Sequence, residues 1–377
     1  MDRIWHLSKN IGERHAGTDN EAMAADYIEA EMSRIGLEVK ANSFRFLGWE
    51  LRREPTLNVL EPRSRSLKVK PAIFSGPTPE AGVAGELKPS GSMHLVDFNP
   101  ALVWPRYAVV DENDRPLAYV ISSSTRAPIV FPLTKRILCG RLPTFIVGME
   151  GREQIETFLA KGKVEVEAKM DVSLEPDCRS QNVHGLLKGS RLNERVIVCA
   201  HYDSMYGSPG ANDNASGIEA MLRIAENWAS KKMETTLEFV AFGAEEYGLF
   251  GSRFYVNELK DMNEVSKVKA VVNLDTVSAG ERLMVWAGPE SFLPIVNKGL
   301  SGSTLRDYFE PKDVRDPRGG FTDSMPFYEQ GMPAAWLQFK PYDHWHRDTD
   351  TYEECSEEKM SKVVDAVDRL ISILNTN

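Results

Sequence analysis

From residue 182 onward the chain alternates short uninterrupted apolar runs with longer stretches of helical periodicity. Runs rich in Val, Ile, Leu and Phe predict strands at 195–200, 236–242, 268–274, 283–287 and 334–339. Periodic segments predict helices near 214–230, 290–300, 323–330 and 356–375; the last carries Met360, Val363, Val364, Val367, Leu370, Ile371 and Leu374 on one face. Strands that are apolar on both faces and alternate with helices define an α/β fold built on a mostly parallel, doubly covered mixed sheet.

The first residues belong to the same pattern. Residues 20–36 form an amphipathic helix with Ala24, Tyr27, Ile28, Met32 and Ile35 on one face and Gly36 as its C-cap, and a strand follows at 37–46. The texture changes near residue 55. From there to about 175 the apolar runs are short and prolines frequent, as in Pro71-Ala-Ile-Phe74, Tyr107-Ala-Val-Val110 and Ala118-Tyr-Val-Ile121. Leu142-Pro-Thr-Phe-Ile-Val147, a short helix at 151–160 and an alternating strand at 164–168 close this stretch. At 377 residues the chain exceeds the size at which one core stops growing. The division expected is therefore one domain from 1–54 and 176–377, with a mostly β domain inserted at 55–175.

Composition narrows the partners. The chain is 42% hydrophobic and 27% charged, with 45 Lys and Arg against 55 Asp and Glu and a net charge of −10. No basic block appears, which argues against a nucleic-acid partner. No run approaches the ~18 apolar residues of a membrane span, and the N-terminus lacks a signal-peptide pattern, so no membrane association is expected. Cys139, Cys178, Cys199 and Cys355 are scattered without CxxC spacing. A cytoplasmic enzyme with reduced thiols is the expectation, or a secreted one had a signal been trimmed.

The chemistry lies where apolar runs stop. The run ending at Ala200 is followed by His201-Tyr-Asp203-Ser204, and a small-residue loop, Gly210-Ala-Asn-Asp213-Asn-Ala-Ser-Gly217, leads into a helix. The run ending at Phe242 is followed by Gly243-Ala-Glu245-Glu246-Tyr-Gly248, and Asn273-Leu274 by Asp275. Ala334-Ala-Trp-Leu337 precedes a loop with His344, His346 and Asp350. In an open α/β sheet, ligands sit beyond the carboxyl ends of the strands, so these residues are expected to converge. Two imidazoles with three carboxylates suit zinc and related divalent ions, and a shared carboxylate suits a pair of them. His6, His15, His94 and His184 fall outside these motifs and read as structural or exposed.

In these motifs, which occur in the same order, the chain resembles the zinc aminopeptidases. That family includes glutamate carboxypeptidase and has glutaminyl cyclase and transferrin receptor as relatives. The resemblance covers 1–50 and 176–377 and implies a phosphorylase/hydrolase-like zinc exopeptidase fold. The insertion resembles a protease-associated domain, chiefly through 142–147 and the helix and strand after it. Carried over residue by residue, the family pattern makes His201 and Asp275 ligands of one zinc, Glu246 and His346 ligands of the other, and Asp213 the bridge. The His-x-x-x-Asp-Thr spacing selects His346 over His344. Glu245 becomes the general base that takes a proton from water and returns it to the leaving amine. Asp203 is expected to accept a hydrogen bond from His201. A cis peptide is expected between Asp213 and Asn214.

The function implied is dinuclear metal-dependent removal of N-terminal residues from short peptides. Glutamate-releasing carboxypeptidase activity shares the whole metal site. Glutaminyl cyclase uses a single zinc, and a transferrin-receptor-like binding protein is expected to have lost its ligands; this chain keeps them all. The loops at 205–209, 250–260 and 312–321 are expected to build the specificity pocket. Arg315 and Arg318 are candidates for gripping a carboxylate or for a solvated pair. The sequence departs from the family pattern at Ser324, where many relatives have His, and at Phe321, which offers no hydroxyl.

Overall fold

A computed structural model describes the chain except for residues 97–101, 137, 139, 302–303, 311–313, 316–320 and 377. Two compact units emerge: Met1–Phe46 with Arg179–Asn377, and Leu47–Cys178. Two long strands, Glu38–Glu61 and Glu165–Leu187, run through the boundaries expected at residues 54 and 176.

In the first unit the sheet order is Val314–Arg315, Arg282–Gly288, Ala334–Lys340, Val268–Leu274, Arg191–His201, Thr235–Phe242 and then the end of Glu165–Leu187. The four inner strands, from Ala334–Lys340 to Thr235–Phe242, are parallel, with Val198 opposite both Phe239 and Val272. The last strand pairs antiparallel through 183–187, and Arg282–Gly288 pairs antiparallel with Ala334–Lys340. Parallel strands need covered faces, and alternation along one strand supplies both. Val196, Val198 and Ala200 enter one core with the helices Asp19–Ile35, Ser216–Trp228 and Glu357–Thr376. Ile197 and Cys199 enter the other with the helix Phe250–Asp261.

Three local features fix the ends of these elements. Thr18 caps the helix Asp19–Ile35 by accepting the Glu21 amide, and Gly36 ends it in the left-handed conformation that Cβ disfavours. Gly217 sits where the helix Ser216–Trp228 meets the sheet: an added Cβ would lie 2.2 Å from the Leu274 carbonyl oxygen.

The structure corrects one loop. Residues 250–260, expected as pocket loop, are the helix Phe250–Asp261, whose buried Ser252, Tyr255, Val256 and Leu259 recur at helical spacing. Helical turns over Asp2–Trp5 and His6–Ile11 add Ile4 and Leu7 to the core. Among the described residues no helix is long and apolar enough to cross a membrane.

The second unit is mostly β. Val83–His94, Val103–Val110 and Pro116–Ser122 form an antiparallel ladder, and Thr144–Val147 lies parallel to the last of them. The helix Met149–Leu159 contributes Ile155 and Phe158 to a core that includes Leu87, Val109, Val120 and Ile146.

Candidate metal centre

Adjacent parallel strands deliver the expected residues to one place. His201 ends the strand Arg191–His201, Glu245 and Glu246 follow Thr235–Phe242, Asp275 follows Val268–Leu274, and His346 follows Ala334–Lys340. Asp213 comes from the turn Ala211–Ala215, where the Asp213–Asn214 peptide is cis as expected. All six residues are buried.

Asp213 stands between the two imidazoles. Its Oδ1 lies 3.2 Å from His201 Nε2 and its Oδ2 lies 3.6 Å from His346 Nε2. On one side Asp275 Oδ1 is 3.8 Å from His201 Nε2; on the other Glu246 Oε2 is 3.1 Å from His346 Nε2. Glu245 Oε2 stands 4.0 Å from His201 Nε2. His344 faces elsewhere, with Nε2 3.4 Å from Glu354.

The ring of His201 is held through Nδ1, but differently from expectation. Its near partner is the main-chain carbonyl of Asp203 at 3.1 Å, while the carboxylate oxygen is 3.6 Å away. A carbonyl only accepts, so Nδ1 keeps its proton and Nε2 is left for the centre. The Asp203 carboxylate instead receives the amides of Glu245 and Glu246, each at 3.1 Å.

Other buried side chains lock the loops. Asp350 accepts the Asn212 amide and the Tyr342 hydroxyl on Oδ1 and the Asp213 amide on Oδ2. Asn214 donates to the Leu274 carbonyl and accepts the amides of Gly217 and Thr276. Thr322 donates to Asp275 Oδ2 at 3.1 Å. The Asp213 loop is thereby tied to the end of the Asp275 strand.

The charge balance asks for cations. Burial, with repulsion among the carboxylates, lifts Glu245, Glu246 and Asp275 above the usual carboxylate range. Burial opposes charge on His201, yet Glu245, Asp203, Asp213 and Asp275 together hold its pKa well above that of ordinary imidazole. Burial also acts against ionised Asp213, but the hydrogen bond from His201 pulls its pKa down. Glu246 Oε1 is buried and has no hydrogen-bond partner. Two imidazoles, three carboxylates and an idle carboxylate oxygen fit divalent zinc better than any internal pairing does. His201, Asp213 and Glu246, and likewise His201, Glu245 and Asp275, offer donor atoms all within 4.8 Å of one another.

Sequence reasoning missed Arg14 and Glu21, both buried against these loops. The spacing Thr18-x-x-Glu21 marks a helix cap, but nothing local signals their second partners near residues 202–210 and 244. Arg318 and Cys139 lie outside the described residues, as does the side chain of Arg315.

The sequence profile of peptidase family M28 matches residues 182–371. Over 391 residues the chain is 29% identical to aminopeptidase YwaD of Bacillus subtilis, covering 97% of this chain and 82% of that protein. It is 35% identical over 205 residues to leucine aminopeptidase 2 of Trichophyton rubrum, covering 52% of this chain and 41% of that protein. Among solved structures, the zinc aminopeptidase BSAP from Bacillus subtilis superimposes with a TM-score of 0.68 at 25% identity, over 98% of this chain and 93% of that one.

Proposed function

The chain belongs to peptidase family M28 and is a metal-dependent aminopeptidase; we propose that it works with two divalent ions, zinc foremost, on the free amino end of short peptides. The observation that carries the two-ion reading is Asp213, whose two oxygens face two different imidazoles at 3.2 and 3.6 Å. His201 and Asp275 would hold one ion, His346 and Glu246 the other, and Asp213 both. Bound there, the ions supply Lewis acidity toward the scissile carbonyl and toward water.

The chain's own residues supply the rest. The family pattern leaves Glu245 outside both ligand sets, although its donor atom lies close to those of His201 and Asp275, and it sits on the His201 side of the cluster. Burial raises the affinity of its carboxylate for a proton. That suits a general base that removes a proton from water and then, as an acid, delivers it to the departing amine. The Asp203 carboxylate fixes the Glu245 and Glu246 amides, an arrangement that would let Glu246 hold metal while its neighbour Glu245 serves the reaction. Buried acidic groups also favour a positively charged amino terminus over a free carboxylate.

Metal content and hydrolysis of a panel of aminoacyl-p-nitroanilides, on the wild type and on Glu245→Gln, test this reading. The expected result is about two ions per chain in both proteins and a kcat about 10²–10⁴-fold lower in the variant. One ion or none, with no hydrolysis, would discard it in favour of a cyclase or a binding protein.

A further inference from the structure

The segment 12–21 lies outside the residues matched to the family, yet two of its side chains reach the loops of the metal centre. Arg14 is fully buried. Its guanidinium donates to main-chain carbonyls: Nε to Tyr202 at 2.6 Å, Nη1 to Pro209 at 2.5 Å and Gly12 at 3.2 Å, and Nη2 to Gly210 at 2.7 Å. Its own amide donates to Ser204 Oγ and its carbonyl accepts the Ser204 amide. Arg14 therefore staples 202–204, which directly follows His201, to 209–210, which shortly precedes Asp213. A planar fork can meet carbonyls in several directions at once; an ammonium on a flexible stem cannot hold all of them. Burial pulls the Arg14 pKa down to about 10, so the side chain remains a cation at neutral pH beside Asp350, Asp203, Asp213 and Glu246.

Glu21 acts on the opposite loop. Its Oε2 accepts the amide of Gly17, one residue before the Thr18 N-cap, at 2.6 Å, a capping contact local to its own helix start. Capping leaves the other oxygen unexplained. Oε1 accepts the Ser180 hydroxyl at 2.6 Å and the Ala244 amide at 3.1 Å. Ala244 has φ +53°, in the left-handed region, and directly precedes Glu245. With Asp203, Glu21 thus receives three consecutive amides, those of Ala244, Glu245 and Glu246.

We propose that Arg14 and Glu21 are positioning residues of the metal centre, Arg14 setting the separation of His201 and Asp213 and Glu21 setting the turn that presents Glu245. The inference rests on the two-ion reading above. Neither residue belongs to the ligand sets proposed above; Arg14 acts through main-chain carbonyls and Glu21 through the Ala244 amide.

The test compares wild type with Arg14→Lys, Glu21→Ala, Glu21→Gln and a control, Arg3→Met. Arg3 forms ion pairs with Glu31 and Glu226 and anchors the same N-terminal segment by other contacts. Each protein is measured for zinc Kd by chelator competition, for kcat and KM on an aminoacyl-p-nitroanilide, and for Tm. Arg14→Lys is expected to weaken zinc binding by about 10–100-fold. Glu21→Ala is expected to lower kcat about tenfold with KM and metal content kept, and Glu21→Gln, whose amide oxygen still accepts the Ala244 N–H, to restore most of it. Arg3→Met should lower Tm alone. The inference is overturned when Arg14→Lys and both Glu21 variants lower Tm as Arg3→Met does, with zinc Kd and kcat at wild-type values. A wild type that binds no zinc overturns the two-ion reading instead, which keeps the two failures apart.

Discussion

Asp350 Oδ2 accepts the amide of Asp213 at 3.0 Å, so one buried carboxylate holds the backbone from which another faces the two imidazoles. The remaining oxygen of Asp350 takes the Asn212 amide at 2.8 Å and the Tyr342 hydroxyl at 2.6 Å. Asp350→Ala leaves two buried amides and the half-buried Tyr342 hydroxyl without their acceptor. Each unmade bond costs about 1–3 kcal/mol, and loosening a loop that carries a ligand weakens metal binding about 10–100-fold. Denaturant melts and zinc competition check this. Wild-type zinc affinity in the variant would remove Asp350 from the support of the site.

Asp213 faces His201 and His346 through different oxygens, so the two imidazoles should be separable. His346→Ala is expected to bring metal content from about two ions per chain to about one, with activity lost. Elemental analysis of the dialysed variant checks the count. Two ions retained would contradict a ligand role for His346.

Metal removal should make stability depend on pH. In the metal-free protein burial and mutual repulsion raise Glu245, Glu246 and Asp275, and burial lifts Asp350 and Asp323 to about 7. A group whose folded pKa is raised contributes stability that is complete below its unfolded pKa and lost as pH climbs through the folded one. The carboxylates start from about 4 when unfolded. The metal-free protein should accordingly lose stability from about pH 4 to 7 and beyond. Raised His201 acts in the same direction at higher pH, and lowered Asp213 opposes both. Metal requires deprotonated ligands, so it stabilises more as pH rises. The Tm difference between zinc-loaded and chelator-treated protein should widen between pH 5 and pH 8. A constant or narrowing difference would show that these carboxylates do not govern it.

Gly217→Ala probes the join between helix and sheet. The new Cβ would lie 2.2 Å from the Leu274 carbonyl oxygen and 2.4 Å from Asn214 Oδ1, and both groups belong to the Asn214 lock. The helix start must move, at a cost of about 1–3 kcal/mol. Because Asp213 and Asp275 adjoin these atoms in sequence, zinc binding should weaken together with stability. Thermal melts and zinc titration read both, and a stable variant with unchanged affinity would show that the helix start yields without disturbing the ligands.

Much of this protein was legible one segment at a time. The run Val196–Ala200 is apolar on both faces and so belongs inside a covered sheet, and it stops at His201; the same holds for Phe242 before Glu245 and for Leu274 before Asp275. Burial, periodicity and strand ends are local properties, and the chain displays them locally. The helix Phe250–Asp261 escaped because its stripe of Tyr255, Val256 and Leu259 is short and follows a loop-like Gly-rich turn. What tertiary structure decided was which atoms meet. The sequence expected the Asp203 carboxylate at His201; the folded chain gives that place to the Asp203 carbonyl and the carboxylate to the Glu245 and Glu246 amides. It also brings Arg14 to Tyr202 and Gly210, and Glu21 to Ala244. Sequence alone determined the sheet, its covered faces and the polar residues at its strand ends, because each follows from spacing along a single element. Only the folded chain decided the partners of those residues, because hydrogen bonds between loops nearly two hundred residues apart depend on the register of the strands between them.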